Sequence, residues 1–347
     1  MISPDVIIAG AGIIGLSTAL ELRRRGAQVL VLDRGEPGQE ASSAAAGMLA
    51  PSDPETPLPL RPLAFLSAKL YPEYVQDLET VSGIKVDYRR HGTIAFIEGH
   101  RVPPQYRRLS SEELSRMEPA VEARGSSAFF VAEDSVDPVM LVRAALAAAK
   151  QNGIDVRPHT AVDEICARGS AIEVTAGSQR LAARAAVNCR GAWSGAPVKP
   201  RKGQSMYVQP QRRGLLEHVL VAPGVYLVPR SSGKILIGAT VEDVGYDRAV
   251  EPATIGGLHH AAAQLVPELA STPVTESWAG LRPGSPDDLP LLGATETPGL
   301  FIASGHFRNG ILLAPVTARI MADLVMGKPA EMDVSAFSPL RFAAVKR

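Results

Sequence analysis

Short, wholly apolar runs mark the N-terminal part of this chain. Val6–Ala9 and Val29–Leu32 hold no polar position, the pattern of strands buried on both faces of a parallel sheet. Between them Leu16, Ala19, Leu20 and Leu22 supply an apolar helix side, Arg23 to Arg25 close the last turn, and Gly26 follows. The segment reads strand, glycine turn, helix, strand: a βαβ unit.

Farther along, residues 63–82 read as a helix ending at Gly83, and 84–97 as strands. "SSEELSRMEP" predicts a short helix capped by Ser110 or Ser111. "DPVMLVRAALAAAKQNG" predicts an amphipathic helix stopped by Gly153. From 154 onward strand and turn alternate up to the apolar run Ala185–Cys189. Lys202 to Val241 is mostly strand, Ala253–Leu265 a helix, and Thr317–Met326 continues a last helix that Gly327 ends. Helices thus alternate with buried strands at both ends, while the middle is richer in strands. The predicted class is α/β, α+β overall: a Rossmann-like cofactor domain with a βαβ N-terminus, interrupted by a β-rich substrate domain. The expected boundaries are 1–85, 138–205 and 275–347 for the first, and 86–137 and 206–274 for the second.

Composition narrows the choices. The 347 residues carry 36 basic and 36 acidic side chains, so bulk charge offers no reason to expect nucleic acid or a membrane surface as partner. Cys166 and Cys189 form no CxxC pair, which points to free thiols in a reducing, cytoplasmic setting. The apolar opening lacks a basic region and a cleavage pattern, so it reads as strand and turn. No apolar run reaches the roughly 18 residues of a membrane span.

The chemistry starts at "GAGIIG". Gly10 permits a tight turn, Gly12 a close approach to pyrophosphate, and Gly15 close helix–strand packing. The helix start adds N–H groups and a positive dipole end. Asp33, at the end of the second strand, stands where an acid binds a ribose 2′-OH and favours NAD or FAD over NADP. "SSAAAGML", Ser42 to Leu49, reads either as a loop or as a close approach to ligand. Trp193, in "NCRGAWSG", reads either as core or as the rim of a site at a strand end. Arg282, in "WAGLRPGSPDDLP", suits a carboxylate through its guanidinium fork, or else an ion pair with Asp287 or Asp288. "SGHFRNGILLAP", Ser304 to Pro315, puts an arginine and an asparagine before an apolar helix: either local caps and ion pairs, or a helix start facing a cofactor.

Together "GAGIIG", "SSAAAGML", "GAWSG", "YLVPR", "IGATVEDVGYD", "WAGLRPGSPDDLP" and "GHFRNGILLAP" resemble the FAD-dependent D-amino acid oxidase family, in its glycine-oxidizing branch of thiamine biosynthesis. Residues 58–136 carry little of the likeness. The resemblance implies non-covalent FAD along the first βαβ unit, at Gly10, Gly12, Ile13, Ile14 and Gly15, with Asp33 and Arg34 at the adenosine ribose. It implies that Ser42, Ser43, Ala45, Ala46, Gly47 and Met48 run beside the pyrophosphate and flavin, and that Val162 contacts the adenine through its backbone. Gly191 and Trp193 join the cofactor wall. His306, Arg308, Asn309, Gly310, Ile311 and Leu312 belong to the segment that brings N–H groups to the flavin, with the helix after Gly310 pointing its positive end there. His306 reads as a structural histidine in preference to a proton shuttle.

For catalysis the resemblance implies Arg282 on the substrate carboxylate, also counted among the flavin contacts, with Tyr226, Arg308 and Met48 around the same pocket. The implied reaction is oxidative deamination of glycine or other small amines and D-amino acids to the 2-oxo acid, ammonia and hydrogen peroxide, with oxygen as acceptor; the choice among glycine, sarcosine and small D-amino acids stays open. The rivals are a dehydrogenase using another electron carrier and a non-catalytic flavin protein. A homotetramer is implied. Two departures stand out: Arg190 occupies a position that is usually small, and the connection between Gly195 and Pro197 is short.

Overall fold

The computed structural model describes residues 4–97, 102–123 and 125–345. The opening unit folds as its pattern predicts: β1 spans Val6–Ala9, α1 Ile13–Arg24 and β2 Val29–Leu32. Gly10 turns at φ 106°. A Cβ on Gly15 would lie 1.9 Å from the Gly10 carbonyl oxygen, so only glycine lets α1 start this close to β1.

β1 sits in a six-stranded sheet. Its order is Leu291–Ala294, Leu300–Ser304, Ala185–Asn188, β1, β2, Asp155–Arg157. All neighbours are parallel except the first pair. Apolar side chains of α1, the helix Arg61–Ser82, the helix Pro138–Gln151 and the helix Ala314–Val325 form one core on this sheet. The antiparallel strands Glu164–Arg168, Ala171–Ala176 and Gln179–Ala183 cover Ile7, Leu30 and Leu32 on the other face.

A second, eight-stranded sheet runs Val274–Gly284, Lys199–Val208, Ile235–Gly238, Val225–Pro229, Val219–Ala222, Thr93–Phe96, Ala128–Val131, Arg107–Arg108. The helix Pro252–Leu265 packs on it around Met206, Leu227 and Ile237. Strand pairing moves two expected boundaries. Position 205 falls inside Lys199–Val208 and position 275 inside Val274–Gly284. These two strands pair along most of their length, so both belong to the large sheet.

Other elements match their local signals. Gly83 ends the helix Arg61–Ser82 at φ 70°. Ser110 and Glu113 make a reciprocal capping box for Ser111–Met117. The last helix differs: a 3₁₀ turn spans Phe307–Asn309, turns follow, and the α-helix begins only at Ala314. Among the described residues no helix is long and apolar enough to cross a membrane.

Candidate active site

The parallel strands deliver their C-terminal ends to one edge, where open α/β sheets bind ligands. Gly10 follows β1, Asp33 follows β2, Arg190 and Gly191 follow Ala185–Asn188, and His306 follows Leu300–Ser304. One continuous cleft starts there and runs to the large sheet. Of the residues named from the sequence, all but Gly15, Ser43 and Leu312 line it. Those three lie behind its wall. Gly15 packs against Gly10, the Ser43 hydroxyl donates to the Glu40 carbonyl at 3.4 Å, and the Leu312 carbonyl accepts from the Ser67 hydroxyl at 2.6 Å.

At the glycine end, α1 has no side-chain cap at Gly12. The Ile13 N–H donates to the Ser42 hydroxyl at 3.0 Å. Gly12, Ile13 and Ile14 line the cleft, so the positive end of α1 opens into it. Asp33 accepts from the Ala11 N–H at 2.6 Å and the Gly35 N–H at 2.9 Å. Burial pushes its carboxyl above the usual range, opposed by those two bonds. The arrangement suits a dinucleotide: a glycine turn, an open helix start and an acid at the strand end.

Arg190 is partly buried and turns inward along the strand end. Its guanidinium donates to Asn188 Oδ1 at 3.1 Å, the Val162 carbonyl at 3.0 Å and the Ser194 carbonyl at 3.2 Å. It therefore ties the Val162 segment to the strand end. Trp193 is not core. The Arg34 guanidinium carbon sits 3.6 Å from its ring centroid, and Tyr246 stacks at 5.6 Å with a 31° tilt.

The small-residue segment is held from the large sheet. The Trp278 indole donates to the Ala44 carbonyl at 3.1 Å, and the buried Arg230 donates to the Ala46 carbonyl at 2.7 Å. A Cβ on Gly280 would lie 2.5 Å from Ala44 Cβ, so that glycine admits the segment. On the opposite wall, the hydroxyls of Ser67 and Tyr71 donate to the carbonyls of Leu312 and Ile311, at 2.6 and 3.0 Å.

Tyr226, Arg282, Arg308 and Met48 all line the cleft. Arg282 is not paired with Asp287, whose carboxylate takes Arg341 at 2.8 Å. Its Nη1 donates to the Thr240 carbonyl at 3.0 Å, and no ion pair engages it among the described residues. A Cβ on Gly203 would lie 2.1 Å from that Nη1, and one on Gly238 2.8 Å from the Tyr226 ring. Both side chains therefore lie flat over glycines of neighbouring strands. Arg308 pairs with Asp53 at 3.3 Å and with Glu55. His306 Nε2 meets the Thr317 hydroxyl at 3.1 Å, and burial drives its pKa down to about 3. It stays neutral, a structural link to the last helix.

Sequence reasoning assigned no role to Glu40, Asp53, Gly203, Gly280, Tyr246 or Arg248. "IGATVEDVGYD" was a signal for Tyr246, but a motif gives no partner. The others reveal themselves only through strands and loops paired from distant parts of the chain.

A family model described as FAD dependent oxidoreductase (DAO) matches residues 5–324. The chain is 36% identical to the glycine oxidase of Geobacillus kaustophilus (strain HTA426), over 97% of this chain and 97% of that protein. It is 35% identical to the bifunctional protein ThiO/ThiG of Trichormus variabilis, over 97% of this chain and 55% of that protein. The chain thus spans about half the length of such bifunctional relatives. The crystal structure of glycine oxidase from Geobacillus kaustophilus superposes with a TM-score of 0.92 at 34% identity, covering 98% of this chain and 99% of that one.

Proposed function

The chain belongs to the DAO family of FAD dependent oxidoreductases, and from that premise we propose that it oxidises the amine of glycine or another small amino acid, sarcosine and small D-amino acids included. The overall change is amino acid, oxygen and water to 2-oxo acid, hydrogen peroxide and the freed amine, which is ammonia from glycine or a D-amino acid and methylamine from sarcosine. FAD is the cofactor, and the cleft fits it: the open start of α1, the glycine turn and Asp33 suit its adenosine diphosphate half.

Bound FAD supplies the acceptor for the hydride of the amine carbon and returns the electrons to oxygen. The protein's part is placement. The observation that carries the reading is Arg282: a guanidinium fork in the cleft, fixed by one carbonyl and free of carboxylates among the described residues. It binds the substrate carboxylate bidentately. The Tyr226 phenol faces the same space and closes on that carboxylate. Fixing it there aims the amine carbon along the cleft, which is orientation catalysis. His306, buried and bonded to Thr317, serves to hold the last helix. The likeness to the ThiO/ThiG proteins supports a role in thiamine biosynthesis.

Anaerobic mixing of the purified yellow protein with glycine, sarcosine and D-alanine tests this. Bleaching of the visible flavin band, followed by peroxide when air is admitted, is the expected result. Bleaching without peroxide would indicate another electron carrier. A flavin that none of the three reduces would reject the reading.

A further inference from the structure

Of the arginines that line the cleft, Arg282 and Arg308 differ in their surroundings. Arg282 has no carboxylate partner among the described residues. Arg308 has two: Asp53 at 3.3 Å, and Glu55. The Arg308 side chain is 40% exposed and Glu55 71%, so this trio stands at the mouth. One cation between two carboxylates leaves a net negative charge there.

Asp53 lines the cleft and Glu55 stands beside it at the rim. Asp53 Oδ1 accepts from the Glu55 N–H at 2.9 Å, so one carboxylate orients the other's backbone. The preceding Ser52 N–H donates to the buried Glu133 at 2.8 Å. Arg61 donates to the carbonyls of Pro54 and Thr56, both at 3.3 Å. The loop is pinned on both sides of Asp53 and Glu55.

We propose that Asp53 and Glu55, by neutralising Arg308, make the mouth select against amines that carry a second carboxylate. The inference rests on the reading of Arg282 as the carboxylate receptor. With one carboxylate on Arg282, the remainder of the substrate extends toward the other groups of the cleft. A neutral or cationic substituent meets no penalty there. A second carboxylate meets a guanidinium already satisfied and the surplus charge of two acids. Rejection by like charge is a common source of specificity. It predicts discrimination of at least about tenfold.

The test uses the FAD-loaded protein and two non-reacting ligands, methoxyacetate and oxydiacetate. They have the shapes of sarcosine and iminodiacetate, with oxygen in place of nitrogen. Calorimetric titration of the wild type should show methoxyacetate binding at least about tenfold more tightly. The double variant Asp53→Asn, Glu55→Gln frees Arg308 and should bring the two affinities together. Glu55→Gln alone, which keeps the Asp53 bond to the loop, should shift the ratio the same way by less. Turnover of sarcosine against iminodiacetate should follow the same order. Equal affinities in the wild type, including no measurable binding of either ligand, overturn the proposal, as does an unchanged ratio in the double variant. A shifted ratio in a protein whose flavin no amino acid reduces would leave the proposal standing and remove the amine-oxidation reading.

Discussion

Arg282 owes its aim to what its neighbours lack. Its guanidinium crosses Gly203 on the adjacent strand, where a Cβ would stand 2.1 Å from Nη1. Gly203→Ala should therefore spare the fold, because a long side chain yields more easily than backbone. It should displace the fork and raise the KM for glycine by about tenfold or more, with flavin content unchanged. A normal KM would show that Arg282 does not need that path. Arg282→Ala leaves the substrate carboxylate without its partner, a loss on the order of 3–5 kcal/mol. Steady-state kinetics should show weaker binding and slower turnover at normal FAD content. Arg282→Lys should rescue only partly, for want of the planar fork. Near-normal kinetics in Arg282→Ala would reject the receptor role. The arginine itself was legible in "WAGLRPGSPDDLP", but the glycine beneath it was not. Gly203 matters through a strand pairing that links it to Gly280, far along the chain, and no local pattern announces that.

At the level of elements, local signals carried well where the local chain decides the outcome. β1, α1 and β2 follow their periodicity because glycine turns and short apolar runs leave few alternatives. The helix after Gly310 was legible but began too early. The Phe307–Asn309 turn and the carbonyl bonds from Ser67 and Tyr71 hold that segment out of α geometry until Ala314. The motif "IGATVEDVGYD" was legible, but the path of the strap 241–251 was not. It leaves the large sheet and crosses to the cofactor side. Tyr246 stacks on Trp193 and donates to the Ala192 carbonyl at 2.8 Å. Arg248 and Arg34 share Glu40. Fully buried Lys202 anchors the strap's base through Asp247 at 2.7 Å, with Glu242 at 3.6 Å. Arg34, Glu40 and Trp193 line the cleft, so the strap braces the cleft wall next to Asp33. Tyr246→Ala combined with Arg248→Ala should speed FAD release by about tenfold, given the modest worth of a stacked aromatic pair and an exposed ion pair. Flavin fluorescence after dilution into an apoprotein trap measures it, and Tyr246→Phe should fall between. An unchanged release rate, with only a lower melting temperature of the apoprotein, would make the strap a purely structural element.

For the whole molecule, the question is what locks the two sheets around the cleft. The segment 41–53 does much of it, because both sides hold it. Ser42 meets the start of α1, Trp278 and Arg230 reach it from the large sheet, and Glu133 takes the Ser52 N–H. Glu133 follows the strand Ala128–Val131 of the large sheet and is only 4% exposed. Burial, with Asp53 and Asp134 adding repulsion, raises its carboxyl from the ordinary 4.5 to about 7. The sign follows by linkage. Between those values the folded protein keeps a proton that the unfolded chain has lost. This group's contribution therefore falls as pH rises from about 4.5 to about 7 and is flat above. Glu133→Gln keeps an acceptor for Ser52 and carries no such slope. Melting temperatures of both proteins, taken at intervals from about pH 5 to about pH 8, should diverge in favour of the variant as pH rises. Parallel curves, or a wild type that gains on the variant with rising pH, would show that Glu133 is ionised in the folded protein and that its clasp on the mouth loop is a charged one.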